Sequence, residues 1–292
     1  MKHQRTLSIL TALIVLVSLV AGIIGILPGE GTEGQTFLSI HGEMIQLHGK
    51  GIYAMDSVAA AAQAIAQDWV TVFLGVPLLI LSCWFARRKS LRARLLFAGT
   101  LAYFLYTYMS YSFLCTYNPL FLVYVALMSL CFFAFVLVML SFDMALLQQA
   151  FSEKLPTRTI GILMIVFMAA IALMWLGRIV PPLLDGGTPI VLEHYTTLVI
   201  QVMDLGLVIP ASILAAILLM RRKPAGLLLS AVMCMKGATL LTSLTAMVIN
   251  QRLAGVNMSM AEMVVFPAAN LLVLLGIYVF MTKIKEPGAG AG

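Results

Sequence analysis

The chain has 292 residues, 62% of them hydrophobic and only 10% charged, with a formal net charge of +6 and a mean hydropathy of +1.03. Soluble domains carry about 25% charged residues, so a water-soluble fold is excluded and lipid has to be the solvent for much of the surface. Backbone groups in lipid must be satisfied internally, and long unbroken apolar runs without short alternating segments exclude a barrel and leave a helical bundle.

The expected fold is an all-α membrane protein, one domain over residues 1–292, with about eight transmembrane helices. Their spans are 7–27, 69–86, 95–117, 120–142, 160–177, 198–220, 225–249 and 263–281, by the rule that about 20 apolar residues cross about 30 Å of hydrocarbon. The first is read as a retained anchor, because its apolar stretch is long for a signal peptide and no clear cleavage site follows. Residues 28–68 make the largest segment outside the membrane. Within it Thr36 to Tyr53 is β-prone with glycines at turn positions, which predicts a small hairpin. Asp56 is expected to cap a helix through the alanine-rich 57–67. The connection 143–157 is expected to hold a short interfacial helix. Pro181-Pro182 and Asp185-Gly186-Gly187 mark turns between Val180 and Tyr195, and the tail Glu286–Gly292 reads as flexible.

Two patterns in the first outer segment are set aside. Gly29-Glu30-Gly31-Thr32-Glu33-Gly34 has the spacing of a dinucleotide fingerprint. It follows a membrane span, opens no helix and carries two carboxylates that would repel a pyrophosphate. His41, Glu43 and His48 do not make a metal site, since on one strand His48 points away from the other two and structural zinc needs four ligands at closer spacing. Cys83, Cys115, Cys131 and Cys234 lie in or at the ends of apolar runs with no Cys-x-x-Cys pair, and read as small buried hydrophobes. No cofactor is expected, and the absence of histidine from every span argues against bis-histidine haem. The basic residues sit in short clusters beside apolar runs, so they point to lipid and not to nucleic acid.

Those clusters give direction. With the N-terminus in the cytoplasm, fourteen of the eighteen Lys and Arg fall in inner segments, among them Arg87-Arg88-Lys89 and Arg221-Arg222-Lys223. That asymmetry is what inner-membrane topology requires, and both termini are then cytoplasmic. The acidic residues Glu30, Glu33, Glu43, Asp56, Asp68, Asp185, Glu193 and Glu262 lean outward. Val76-Pro77 before the first cluster and Ile209-Pro210 before the second open a faint four-plus-four likeness between halves.

Polar groups inside the membrane carry the functional expectation. Lys236 lies near the middle of the seventh span, where a charge costs about 2.5–3.5 kcal/mol on insertion scales. Thr239 and Ser243 follow on its face. Asp204 lies in the sixth span with Gln201 one turn before it, and Asn270 near the middle of the eighth with Glu262 towards its outer end. Spans six to eight are joined by short connections, so Asp204 and Lys236 are expected to pair and to line a cavity among these three helices. Tyr103 and Tyr106, near the centre of the third span, are expected at the same cavity, while Tyr108, Tyr111 and Tyr117 suit an interfacial belt.

The run Gln201, Asp204-Leu205-Gly206, Pro210, Arg221-Arg222-Lys223 and Lys236-Gly237 resembles a family of uncharacterised bacterial multi-pass membrane proteins, as does Tyr117-Asn118-Pro119-Leu120-Phe121-Leu122. The resemblance implies the architecture and a bacterial cytoplasmic membrane, and no activity. Three function classes remain. The first is a transporter-like or ligand-binding bundle for a small polar or amphipathic solute, although no pair of clearly broken spans is expected. The second is an enzyme on a lipid or quinone, for which neither a His-x-x-x-His nor an Asp-rich motif is present. The third is a sensor or assembly factor using residues 28–68. The oligomeric state does not follow from the sequence.

Overall fold

A computed structural model describes residues 3–88, 90–189 and 192–286. The basic residues Lys2 and Lys89 and the tail 287–292 lie outside the described residues. Eight long helices follow one another: α1 Gln4–Ile26, α2 Val58–Arg87, α3 Leu91–Leu114, α4 Phe121–Leu140, α5 Thr157–Leu184, α6 Val199–Met220, α7 Pro224–Leu253 and α8 Met260–Lys283. Between α1 and α2 the strands β1 Thr36–Leu38 and β2 Met44–Gln46 pair antiparallel, with Phe37 opposite Ile45, as the hairpin reading predicts. The short helix Met144–Gln149 links α4 to α5, with Asp143 capping the Ala145 N–H at 2.8 Å.

Seven of the eight are long and apolar enough to cross a membrane. The other, α3, has 24 residues but is diluted by Tyr103, Tyr106, Tyr108 and Tyr111 and by its threonines and serines. Its two ends nonetheless reach opposite faces. At one end Arg92 donates to the carbonyls of Thr282 and Ile284 at the end of α8, and Glu286 accepts from the backbone N–H of Leu91 and Arg92. Beyond the other end Thr116 donates to Asp56, beside the hairpin. The chain therefore passes eight times between a hairpin face and a basic face, and the described ends of α1 and α8 share the basic face.

Helices α3 and α7 form the centre. Helix α3 packs against α2, α4 and α7, and α7 against α2, α3, α6 and α8. Between helices in lipid the hydrophobic effect offers little, so close approach at small residues replaces it. Gly99 of α3 shows this: a Cβ there would fall 2.4 Å from that of Met235 on α7. Helices α5 and α8 are peripheral, packing mainly on α6 and α7, and leave most of their apolar surface uncovered. That surface is where lipid belongs.

Helices α2 and α6 share a distortion that the sequence reading did not expect. Residues Thr71–Gly75 and Asp204–Val208 each form a π-helical turn. In α2 the N–H of Val76 bonds the Thr71 carbonyl, five residues back; in α6 the N–H of Ile209 bonds that of Asp204. Pro77 and Pro210 follow immediately. Proline has no N–H and its ring collides with the carbonyl four residues earlier, so widening the preceding turn relieves both problems. The likeness read in Val76-Pro77 and Ile209-Pro210 is thus a shared local geometry.

Four further expectations are corrected. Asp68 is not on the outside: α2 begins at Val58, and Asp68 is buried within it. Ser57 caps α2, accepting from the Ala60 N–H at 3.0 Å, while Asp56 turns towards Thr116 and Tyr195. Pro181 and Pro182 fall in the last turns of α5 instead of ending it. Tyr108 and Tyr111 are buried among helices, and only Tyr117 is exposed as a belt residue would be.

Candidate intramembrane polar site

Asp204 opens the π turn of α6, and its carboxylate points into the bundle. Its Oδ1 accepts from the Tyr106 hydroxyl of α3 at 2.8 Å, and its Oδ2 from the Trp175 indole N–H of α5 at 3.0 Å. The Nζ of Lys236 on α7 stands 3.7 Å from the centre of the Tyr106 ring. Lys236 is only 4% exposed, and its ammonium has no hydrogen-bond partner. The expected ion pair is absent: among the described residues the ion pairs are Lys50–Glu33 and Arg178–Glu262. Tyr106 stands between the two charges instead, giving its proton to one and its ring face to the other. A desolvated cation over an aromatic face gains about 2 kcal/mol, yet three N–H donors remain unmet.

A cavity of about 50 Å³ lies between α5, α6 and α7, touching Asp204, Ser212 and Lys236, with Phe167, Ile171 and Leu240 among its apolar walls. A water needs about 10–15 Å³, so the cavity has room for a few waters or one small group. A larger groove of about 630 Å³ beside Arg5 and Arg87 is a surface cleft at the basic face, remote from these groups.

The site is therefore built from α3, α5, α6 and α7, and not from helices six to eight. Gln201 is buried one turn before Asp204. Thr239 returns its hydroxyl to the carbonyls of Met235 and Lys236. Asn270 accepts from Thr242 at 3.2 Å, between α7 and α8. Glu262 closes a capping box with Ser259 and reaches Arg178 at 3.5 Å. Neither Asn270 nor Glu262 joins Asp204. Trp175 was not singled out from sequence, because an indole in an apolar span reads as packing until its N–H partner is known.

Neither Tyr103 nor Tyr106 lines the cavity beside Lys236; Tyr106 touches its charged groups from outside, and Tyr103 belongs to a separate cluster. Its hydroxyl accepts from Gln67 Nε2 at 2.7 Å and meets the Thr71 hydroxyl at 3.0 Å, and Gln67 also donates to Thr107 at 3.0 Å. Ser243 is fully buried on the same side, near the Tyr103 hydroxyl. One residue on from Gln67, Asp68 accepts from Tyr53 at 2.6 Å and from Tyr111 at 3.0 Å. A second span begun at residue 69 leaves out Gln67 and Asp68, and Thr71, inside it, then has no partner in view. Carrying the helical period of the alanine-rich stretch forward would have put Gln67 and Thr71 on one face, four apart.

On the hairpin face Asp56 is buried. Its Oδ1 accepts from the Thr116 N–H at 2.9 Å, the Thr116 hydroxyl at 3.0 Å and the Tyr195 hydroxyl at 2.9 Å, while Oδ2 has no partner. Burial raises its pKa above the ordinary value, against the pull of those donors. Ser57 donates to Glu193, and His41 Nε2 lies 3.4 Å from the Tyr195 carbonyl oxygen, so residues 193–195 clasp the hairpin segment. The exposed Glu33 carboxyl is held below its usual value by the hydrogen bond and charge of Lys50, and His48 is lowered by burial.

No family model, curated protein or solved structure matches this chain.

Proposed function

We propose that the protein is a transporter-like or ligand-binding bundle of the bacterial inner membrane, its basic face in the cytoplasm. Asp204, Tyr106, Trp175 and Lys236 then receive a small amphipathic solute with an anionic or hydrogen-bond-accepting group. The observation that carries this reading is the Lys236 ammonium, which is buried beside a small cavity and has no hydrogen-bond acceptor among the described residues. A lysine kept only to lock helices would sit against a carboxylate, since an unsatisfied buried charge costs several kcal/mol. Intramembrane ionisable groups of this kind line substrate and ion pathways. The paired π turns support the same reading, because interruptions at corresponding positions of two halves mark binding sites in secondary transporters. The orientation rests on the gathering of Lys and Arg on one face. Apolar walls next to one cation favour an amphipathic solute over a strongly hydrated one.

Native mass spectrometry after gentle release from mild detergent tests this. The expected result is a specific retained mass that is lost in Lys236→Met and kept in Asn270→Ala. Equal retention in wild type, Lys236→Met and Asp204→Asn would remove the site from consideration. A second reading, a sensor or assembly factor, is favoured by the hairpin tip, where Leu38, Ile40 and Met44 are all exposed. It predicts a partner whose binding needs residues 36–46 and is indifferent to Lys236.

A further inference from the structure

Asp68 is 4% exposed on a membrane helix and, among the described residues, has no cation against it. The ionisable groups around it are Tyr53 from the hairpin segment, Tyr103, Tyr108 and Tyr111 from α3, Cys115 just beyond α3, and Tyr124 from α4. Helix α7 meets this stretch of α2 through Asn250 and Gln251, neither of which ionises. Helix α1 offers Gly22 and Gly25, and a Cβ at Gly25 would overlap the Asp68 carboxylate.

The Tyr111 hydroxyl lies 3.0 Å from Asp68 Oδ1 and 2.9 Å from the Ala64 carbonyl oxygen. A tyrosine hydroxyl carries one proton, so it donates to one of these acceptors at a time. If it donates to Asp68, the carboxylate is ionised and accepts from both tyrosines. If it donates to Ala64, the 3.0 Å contact to Asp68 needs a proton supplied by the carboxyl itself. The same heavy-atom positions serve both states.

We propose that Asp68, with Tyr53 and Tyr111, is a proton-binding site reached from the hairpin face, and that it supplies the coupling ion of the bundle. Its coupling role rests on the transporter reading; proton binding does not. Uptake adds one proton from water to the Asp68 carboxylate, giving a carboxylic acid that donates to Tyr111. The Tyr111 hydroxyl rotates about its C–O bond from Asp68 to Ala64, and release reverses both changes. Asp56 lies towards the hairpin face with a buried, unpartnered Oδ2, and Cys115 is within electrostatic reach of both carboxylates. These groups mark the entry side.

Infrared difference spectroscopy of the full chain in liposomes, titrated with pH, reads the proton directly. The expected result is a carboxylic C=O band that comes and goes reversibly with pH. It is absent in Asp68→Asn and retained in Asp56→Asn and Asp204→Asn. In Tyr111→Phe it shifts in frequency, because the carboxyl loses its acceptor. A titrating band untouched by Asp68→Asn overturns the proposal, as does a midpoint that follows sodium concentration at constant ionic strength. If Asp68→Asn does not fold, Tyr111→Phe decides, and an unshifted band is the overturning result. A band behaving as expected beside Lys236-independent ligand retention would leave the proton site standing and remove the Lys236 site.

Discussion

Asp204 and Asp68 look alike at first. Each is a buried aspartate on a helix with a π turn, and each carboxylate accepts from two neutral donors. They differ in what lies beyond the donors. Behind Tyr106 stands the ammonium of Lys236. Behind Tyr111 stands a carbonyl oxygen, that of Ala64. A ring of hydroxyls and a spare acceptor can serve either protonation state of a carboxylate. One region is organised around a fixed pair of opposite charges separated by an aromatic ring; the other is organised around the presence or absence of a proton. The two meet along α3, which carries Tyr103, Tyr106, Thr107 and Tyr111, so a single helix reads both.

The largest expected effect breaks the first region. Asp204→Leu leaves the Lys236 ammonium buried with no compensating charge, at about 3 kcal/mol, the lower end for a broken buried pair. Lys236→Met should cost much less, because Asp204 keeps its Tyr106 and Trp175 donors. Thermal unfolding of the two variants in one detergent checks the order, and equal losses would mean that the Tyr106 and Trp175 donors do not compensate Asp204 for the lost cation. Next in size is Gly25→Ala. Its methyl meets the Asp68 carboxylate and forces α1 away from α2, an overpacking cost of about 1–3 kcal/mol. The loss should be largely absent when Asp68→Ala is already in place, since the vacated space takes the methyl; a double-mutant cycle reads that coupling. Additive losses would show that α1 is held off by something other than Asp68.

The contrast also explains what could be read without coordinates. Asp204 and Lys236 were found because a charge in a long apolar run has no exposed position to occupy. The bundle, its number of passages and the hairpin followed from composition, span length and turn residues. Asp68 was misplaced because alanines, Gln63 and Gln67 lower the hydropathy of residues 57–68, and hydropathy reports lipid contact, not burial against protein. Helix α3 shows the same effect from within, since it is the most polar of the long helices and lies at the centre. Partners were the other gap. The spacing of charges on α6 and α7 favoured a direct ion pair, but the side chain between them comes from α3, and no short-range pattern links residue 106 to residue 204. The π turns were signalled by Pro77 and Pro210, though proline alone does not distinguish a kink from a widened turn.

An effect of comparable size separates hydrogen bonding from charge within the first region. Tyr106→Phe keeps the ring under Lys236 and removes only the hydroxyl, so it should cost about 1.5–3 kcal/mol, the range for hydrogen bonds to charged groups. Tyr106→Leu should cost more, because the cation loses its aromatic face as well. If the two variants unfold at the same temperature, the ring contributes nothing to holding Lys236.

The smallest effect concerns Asp56, the third buried carboxylate, which lies outside the membrane-spanning helices and tests whether burial leaves a pH signature against the opposing pull of His194. Its folded pKa is raised above 3.8, chiefly by burial. As pH rises through 3.8, unfolded chains release this proton first while folded chains retain it. The folded state then binds more protons than the unfolded one, so the contribution of Asp56 to stability falls with rising pH until the folded carboxyl also ionises, and is level above that. Asp56→Asn keeps an acceptor for Thr116 and Tyr195 and has nothing to titrate, so it should remove this decline. Melting temperatures of wild type and variant measured across the acidic range should therefore converge as pH rises through that window, with the wild type losing its margin. Parallel curves would mean that Asp56 titrates as it does in the unfolded chain, and that its buried Oδ2 is reached by water.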